Sequence, residues 1–167
     1  MPDVDLIERI EPYEGGRNCI QYDIFFKGNR PDGWVCVMFS EFKHYITRGR
    51  FGLSGNPSLE KMSQFPGFEV FHQAGVNPED VVADLNQFRP NGVGLTKEEV
   101  RKYGRKGIGS FVFEKVLNDA TKKGAKIMTT IATSPQMQRF AQKNCFRKVY
   151  GSKYYNKTTS LTTPKLL

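Results

Sequence analysis

The spacing of apolar positions changes partway along this chain, and the change separates two styles of element. In the N-terminal part, Leu6–Ile10, Cys19–Phe26 and Trp34–Phe39 are β-branched and aromatic stretches bounded by Gly-Gly, Asn-Arg-Pro-Asp-Gly and similar turn chemistry. That pattern predicts strands. Phe68–Gln73 and Val81–Phe88 read as two more, joined by Gly75-Val76-Asn77-Pro78. Residues 41–66 hold Gly49, Gly52, Gly55, Pro57 and Pro66 and show no clear period. A short helix over Ser58–Gln64, capped by Ser58, is expected there. The rest of this region reads either as a substrate-facing loop or as ordinary packing.

Helical spacing takes over past Arg89-Pro90-Asn91-Gly92. Thr96-Lys97-Glu98-Glu99 fits a capping box and predicts a short helix up to Tyr103. Ile108, Val112, Val116 and Ala120 then recur every fourth residue, with Phe113 and Leu117 alongside, which gives a broad apolar face. Lys122 and Lys123 fill the last turn and Gly124 ends it. Lys126–Ile131 reads as a buried strand. Ser134-Pro135 supplies an N-cap and a first-turn proline for a helix to about Lys143. Phe146–Tyr150 and Tyr154–Leu161 form a hairpin about Gly151-Ser152, and Thr163–Leu167 is expected to fray.

Composition adds bounds. A chain of 167 residues with 38% apolar and 13% aromatic residues is most simply one soluble domain with a proper core. No apolar run approaches the roughly 20 residues that span a bilayer, so no membrane partner is expected. The acidic start Met1-Pro2-Asp3-Val4-Asp5 lacks a signal-peptide pattern and points to a cytoplasmic protein. Cys19, Cys36 and Cys145 are odd in number and widely spaced, without a CxxC or a histidine cluster. Neither a disulfide framework nor a metal site is expected.

Charge is more uneven than the net +8 suggests. Residues 1–100 carry 10 Lys and Arg against 15 Asp and Glu, whereas residues 101–167 carry 15 against only Glu114 and Asp119, a net of +13. Two readings stand side by side: a solvated basic surface, and a footprint for a polyanion such as nucleic acid.

The chemistry concentrates at Gly104-Arg105-Lys106-Gly107-Ile108-Gly109-Ser110, which opens the best helix. Paired glycines allow a tight turn with bare amides, the helix adds its positive end, and two cations flank it, so the turn suits a phosphate or pyrophosphate. No Gly-Lys-Ser/Thr follows, which excludes a P-loop. The third glycine of a dinucleotide fingerprint would fall at Val112, and no ribose-binding acid stands about 20 residues on.

Strand, glycine turn, long helix, strand, helix and a strand entered through Cys145-Phe146-Arg147 together resemble the GNAT superfamily of acetyl-CoA-dependent N-acetyltransferases, best over residues 79–150. The resemblance implies an α+β fold, a mixed and mostly antiparallel sheet flanked by helices. It implies one domain over 1–167, with an atypical strand-rich part at 1–75 and an acetyl-CoA-binding core at 79–161. In that family an Arg/Gln-x-x-Gly-x-Gly/Ala turn holds the pyrophosphate of coenzyme A. Here Gly104 takes the first position and the arginine has moved to Arg105.

Implied cofactor contacts are Gly104, Arg105, Lys106, Gly107, Ile108, Gly109 and Ser110, with Leu85, Gln87 and Phe88 on the splayed strand and Ser134 on the later helix. The implied reaction moves an acetyl group to the amine of an unidentified acceptor, a protein or a small molecule, or one borne by nucleic acid gripped by residues 101–167. Asp84 and Glu69, on predicted central strands, are the candidate bases. The family's tyrosine acid falls at Ala141, so Tyr150 and Tyr155 near the last hairpin are candidate replacements. Cys145 takes the family's glycine position and reads as a small buried residue. The alternative is a GNAT-like fold with little or no catalysis, serving as a basic module that binds nucleic acid or protein.

Overall fold

The computed structural model describes residues 4–13, 17–26, 33–47, 57–89, 98, 108–151 and 153–157. Strands β1 (Val4–Tyr13), β2 (Arg17–Phe26), β3 (Gly33–Glu41) and β4 (Val81–Arg89) run antiparallel to one another in chain order. Beyond β4 come β5 (Ala125–Ile131), β7 (Lys153–Lys157) and, at the edge, β6 (Arg147–Tyr150), giving a seven-stranded sheet of order β1-β2-β3-β4-β5-β7-β6. Among the described residues only β4 and β5 pair in parallel. The architecture is therefore the α+β arrangement expected from the sequence.

Helices cover both faces. Alternation on β2 and β3 turns Ile20, Tyr22, Ile24, Val35 and Val37 to one face, where α4 (Ile108–Lys122) and α5 (Pro135–Lys143) pack. The every-fourth-residue stripe of α4 does what it predicts: Val112, Val116 and Ala120 are wholly buried. Helix α5 starts as read, with the Ser134 hydroxyl accepting from the Met137 N–H and Pro135 in the first turn.

On the opposite face, α1 (Phe42–Thr47), α2 (Leu59–Ser63) and α3 (Phe68–Gln73) build a second core around Phe42, Tyr45, Met62, Phe68 and Phe71, closed by Val82, Ile127 and Tyr155 of the sheet. Ser58 caps α2 as expected.

Several expectations are corrected. Phe68–Gln73 is a helix, because Phe68 and Phe71 are buried while Glu69, His72 and Gln73 are exposed, a spacing of three rather than two. Gly67 and Gly75, both at positive φ, bracket it. Cys145 is exposed rather than buried and sits at φ 64°, which explains why a glycine suits the position. Cys19 and Cys36 form a disulfide across β2 and β3, their Cα atoms 6.7 Å apart. Register places Cys19 opposite Met38 and Cys36 opposite Gln21, so the two are diagonal neighbours on one face of the sheet, a proximity that cysteine spacing does not reveal. Of the expected 96–103 helix only Glu98 is described, and it is helical. Leu161 and the tail lie outside the described residues.

Candidate functional site

The parallel seam between β4 and β5 stops short. Its last pair is Leu85 with Thr130, yet β4 runs on to Arg89, paired only with β3 among the described residues. Register against β3 also slips here, since Val37 faces Leu85 whereas Cys36 faces Gln87. Asn86 is thus the extra residue of a β-bulge. The bulge turns Leu85 and Phe88 to the same face, three residues apart instead of two. Sequence reasoning passed over Asn86, although that broken alternation was its signal.

Aromatic contacts fix what surrounds the opening. Phe88 lies 4.7 Å from Phe140 of α5, Phe140 meets Phe113 of α4 edge-on at 5.5 Å, and Phe113 lies 5.4 Å from Phe146. This chain of rings brings the first turns of α4 to the place where β4 leaves β5. Ile108, Gly109 and Ser110 open that helix, with Gly109 and Ser110 half-buried. Gly104, Arg105, Lys106 and Gly107 lie outside the described residues. Ser134 starts α5, whose polypeptide leaves the end of β5.

The other face of the opening is polar. The Trp34 Nε1–H donates to Gln87 Oε1 at 2.9 Å, and the Arg89 guanidinium lies 5.7 Å above the indole. One step down β4, Asp84 is buried and accepts from the Thr129 hydroxyl at 3.0 Å. Strand register puts Asp84, Thr129, Tyr155 and Arg147 in one row across β4, β5, β7 and β6.

The four catalytic candidates are not assembled together. Asp84 sits level with the end of the seam. Tyr155 shares its row but packs in the second core, 5.5 Å from Phe71. Tyr150 lies on β6, 57% exposed. Glu69 is not on a strand at all; it is exposed on α3 and accepts from Gln73 Nε2 at 3.3 Å. Ala141, where the resemblance puts an acid, is wholly buried.

Among the described residues, a seven-stranded mixed sheet with one parallel seam and helices on both faces is the arrangement of the GNAT fold. No family model and no curated protein sequence matches this chain. Among solved structures, the toxin–antitoxin assembly AtaTR bound with acetyl-CoA is similar over 99% of both chains, at 12% identity and a TM-score of 0.55. AtaT complexed with acetyl-methionyl-tRNAfMet is similar over 88% of this chain and 75% of that one, at 13% identity and a TM-score of 0.53. The KacTA–DNA complex is similar over 89% and 73%, at 11% identity and a TM-score of 0.54. At such identities it is the fold that is shared. No helix among the described residues is long and apolar enough to cross a membrane.

Proposed function

We propose that this chain is an N-acetyltransferase that moves an acetyl group from acetyl-CoA to an amine. One observation carries the reading: the pairing of β4 with β5 ends at Leu85 while β4 runs on, and Phe88 beyond that point is tied through Phe140 to Phe113, in the second turn of the helix that follows the glycine-rich segment. Similar solved structures bound to acetyl-CoA support it.

The residues present fit that cofactor. Past the seam, the β5-facing edge of β4 has no strand partner among the described residues. Its backbone N–H and C=O groups at Asn86 to Phe88 suit pairing with an extended, amide-bearing chain. Phe88 and Phe140 supply an apolar wall. Gly104 to Ser110 would hold the pyrophosphate through amides, the helix end, Arg105 and Lys106.

Bound acetyl-CoA supplies a thioester carbonyl. Transfer forms the C–N bond of an amide and breaks the C–S bond, and the amine's proton ends on the thiol of coenzyme A. N–H groups on the β5-facing edge of β4 past the bulge would donate to the negative charge that grows on the carbonyl oxygen. Asp84 faces the side opposite α4 and α5, at the level where the seam ends, and would take the amine's proton directly or through water. Tyr155 and Tyr150 stand on the first and second strands beyond β5, about 5 and 10 Å across the sheet. We therefore assign protonation of the departing thiolate to solvent.

Calorimetry with acetyl-CoA tests the reading. Wild-type protein is expected to bind it and Gly107→Leu to lose binding with its melting temperature kept. Asp84→Asn is expected to lower kcat by roughly 100-fold or more with cofactor affinity unchanged. No affinity in the wild-type protein would leave the alternative, a GNAT-like basic binding module, which the burial of Ala141 favours.

A further inference from the structure

No Asp or Glu follows Asp119 in the sequence, and the fold gathers most of that acid-free stretch at one side of the sheet. Helix α5 exposes Arg139 and Lys143, one turn apart. The chain then reverses at Cys145 and enters the edge strand β6, which exposes Arg147 and Lys148. Strand β7 adds Lys153. None of these five cations pairs with a carboxylate among the described residues. By contrast Lys123 bonds Asp119 at 2.9 Å and Lys126 bonds Asp80 at 3.2 Å.

Register fixes how this side relates to the opening. Arg147 is level with Asp84, and Lys148 is level with Leu85, three strands away. At the usual strand spacing that is about 14 Å. Tyr150, Lys153 and Ile131 form the next row, at the level of the opening. Two of them present apolar surface there, Tyr150 at 57% exposure and Ile131 at 51%. Cations thus mark the edge, and an exposed ring on the same edge strand stands one row further on, at the level of the gap.

We infer that this side is a track for RNA that carries the acceptor amine, its phosphates on Arg139, Lys143, Arg147 and Lys148 and one unpaired base on Tyr150. The inference rests on the reading of the gap as the point of acyl transfer. Phosphates need cations without competing carboxylates, and an unstacked base needs an accessible aromatic face. A stacked strand advances about 3.4 Å per nucleotide, so about four nucleotides reach from the edge to the gap. An amine on a group attached at the strand's end would be acetylated as above: its C–N bond forms, the C–S bond breaks, and its proton ends on the thiolate, giving the thiol.

Lysines on an edge strand also deter strand-to-strand aggregation, and the test must separate that role. We would measure binding of a fluorescein-labelled RNA hairpin with a four-nucleotide 3′ overhang, and of the same hairpin blunt, from 50 to 200 mM salt. Four phosphate contacts give a log–log slope of roughly −3 to −3.5. Reversing two of them in Arg147→Glu/Lys148→Glu is expected to weaken both RNAs at least ten-fold and to reduce the slope by about 2.

Neutral Arg139→Gln/Lys143→Gln on α5 does the same more weakly and checks for misfolding of the edge. Tyr150→Ala is expected to weaken the overhang RNA five-fold or more while sparing the blunt one, and Tyr150→Phe to restore it. Absence of RNA binding at 50 mM salt, or charge reversal without effect, overturns the inference, as would preference for an acidic peptide over RNA. Acetyl-CoA calorimetry on the same samples reports separately on the acyltransferase reading.

Discussion

Gly67 takes a φ of 86° between α2 and α3, and a methyl group there would meet Val149 Cγ1 at 2.6 Å. Both the backbone and the close approach exclude a side chain. Gly67→Ala is expected to cost about 1–3 kcal/mol, read as a lower urea midpoint with an unchanged m-value. Cys145 presents the reverse case. The end of α5 closes through Phe146 N–H to Ala141 C=O at 2.9 Å, the bond pattern of a Schellman cap, with Cys145 in the left-handed position. The end of α3 closes alike, through Val76 N–H to Phe71 C=O at 3.0 Å, but with Gly75 in that place. Cys145→Gly should therefore stabilise the protein by about 0.5–1 kcal/mol, seen as a higher midpoint.

Helix α1 is short and holds its place through its ends. The Phe42 and Lys43 N–H groups donate to Asp80 and Pro78 carbonyls, at 2.7 and 3.0 Å. The buried Lys43 ammonium meets Glu79 at 2.8 Å and Glu41 at 3.2 Å. Its hydrogen bond to Glu79 raises the Lys43 pKa, and the same bond lowers that of Glu79. A lowered carboxylate stabilises the fold above its unfolded value, about 4.3, and loses that contribution as pH falls through the folded value. A raised lysine stabilises below about 10.4 and loses the contribution at higher pH still. Glu79→Gln is thus expected to lower the melting temperature at pH 7, with wild type and variant converging in acid. A gap that persists at pH 2 would assign the effect to packing.

Elements differed in how plainly the chain announced them. Helices α4 and α5 were legible, one from a four-turn stripe and the other from its cap and proline. Helix α3 was not: six residues with Phe68 and Phe71 fit either period, and its state is decided by rings it meets from elsewhere, Phe42 and Tyr155. The glycine turn of the candidate site was readable as local chemistry. The opening beside it was not, except through the resemblance, because it depends on where a pairing between distant strands stops.

At the scale of the whole molecule, ligand and fold are linked. If acetyl-CoA binds the native state alone, 100 times its Kd adds about 2.7 kcal/mol of stability. For a chain of this size the melting temperature should rise by roughly 5–10 °C, and thermal scans over a concentration series check it. The parallel seam has a consequence of another kind, for the order of assembly. Strands β1 to β4 are neighbours in the sheet, and three of their pairings join β1 to β2, β2 to β3 and β3 to β4. The bonds from Thr129 to Asp84 and from Thr130 to Leu85 each close a separation of 45 residues. Loop closure on that scale costs entropy before any contact repays it, and the β3–β4 pairing, from Glu41–Val81 to Trp34–Arg89, closes comparable separations, so both are expected to form late, after the β1–β2 and β2–β3 hairpins. Thr129→Val and Thr130→Val should then accelerate unfolding and leave the refolding limb of the chevron nearly unmoved; slower refolding would mean that the seam is made first.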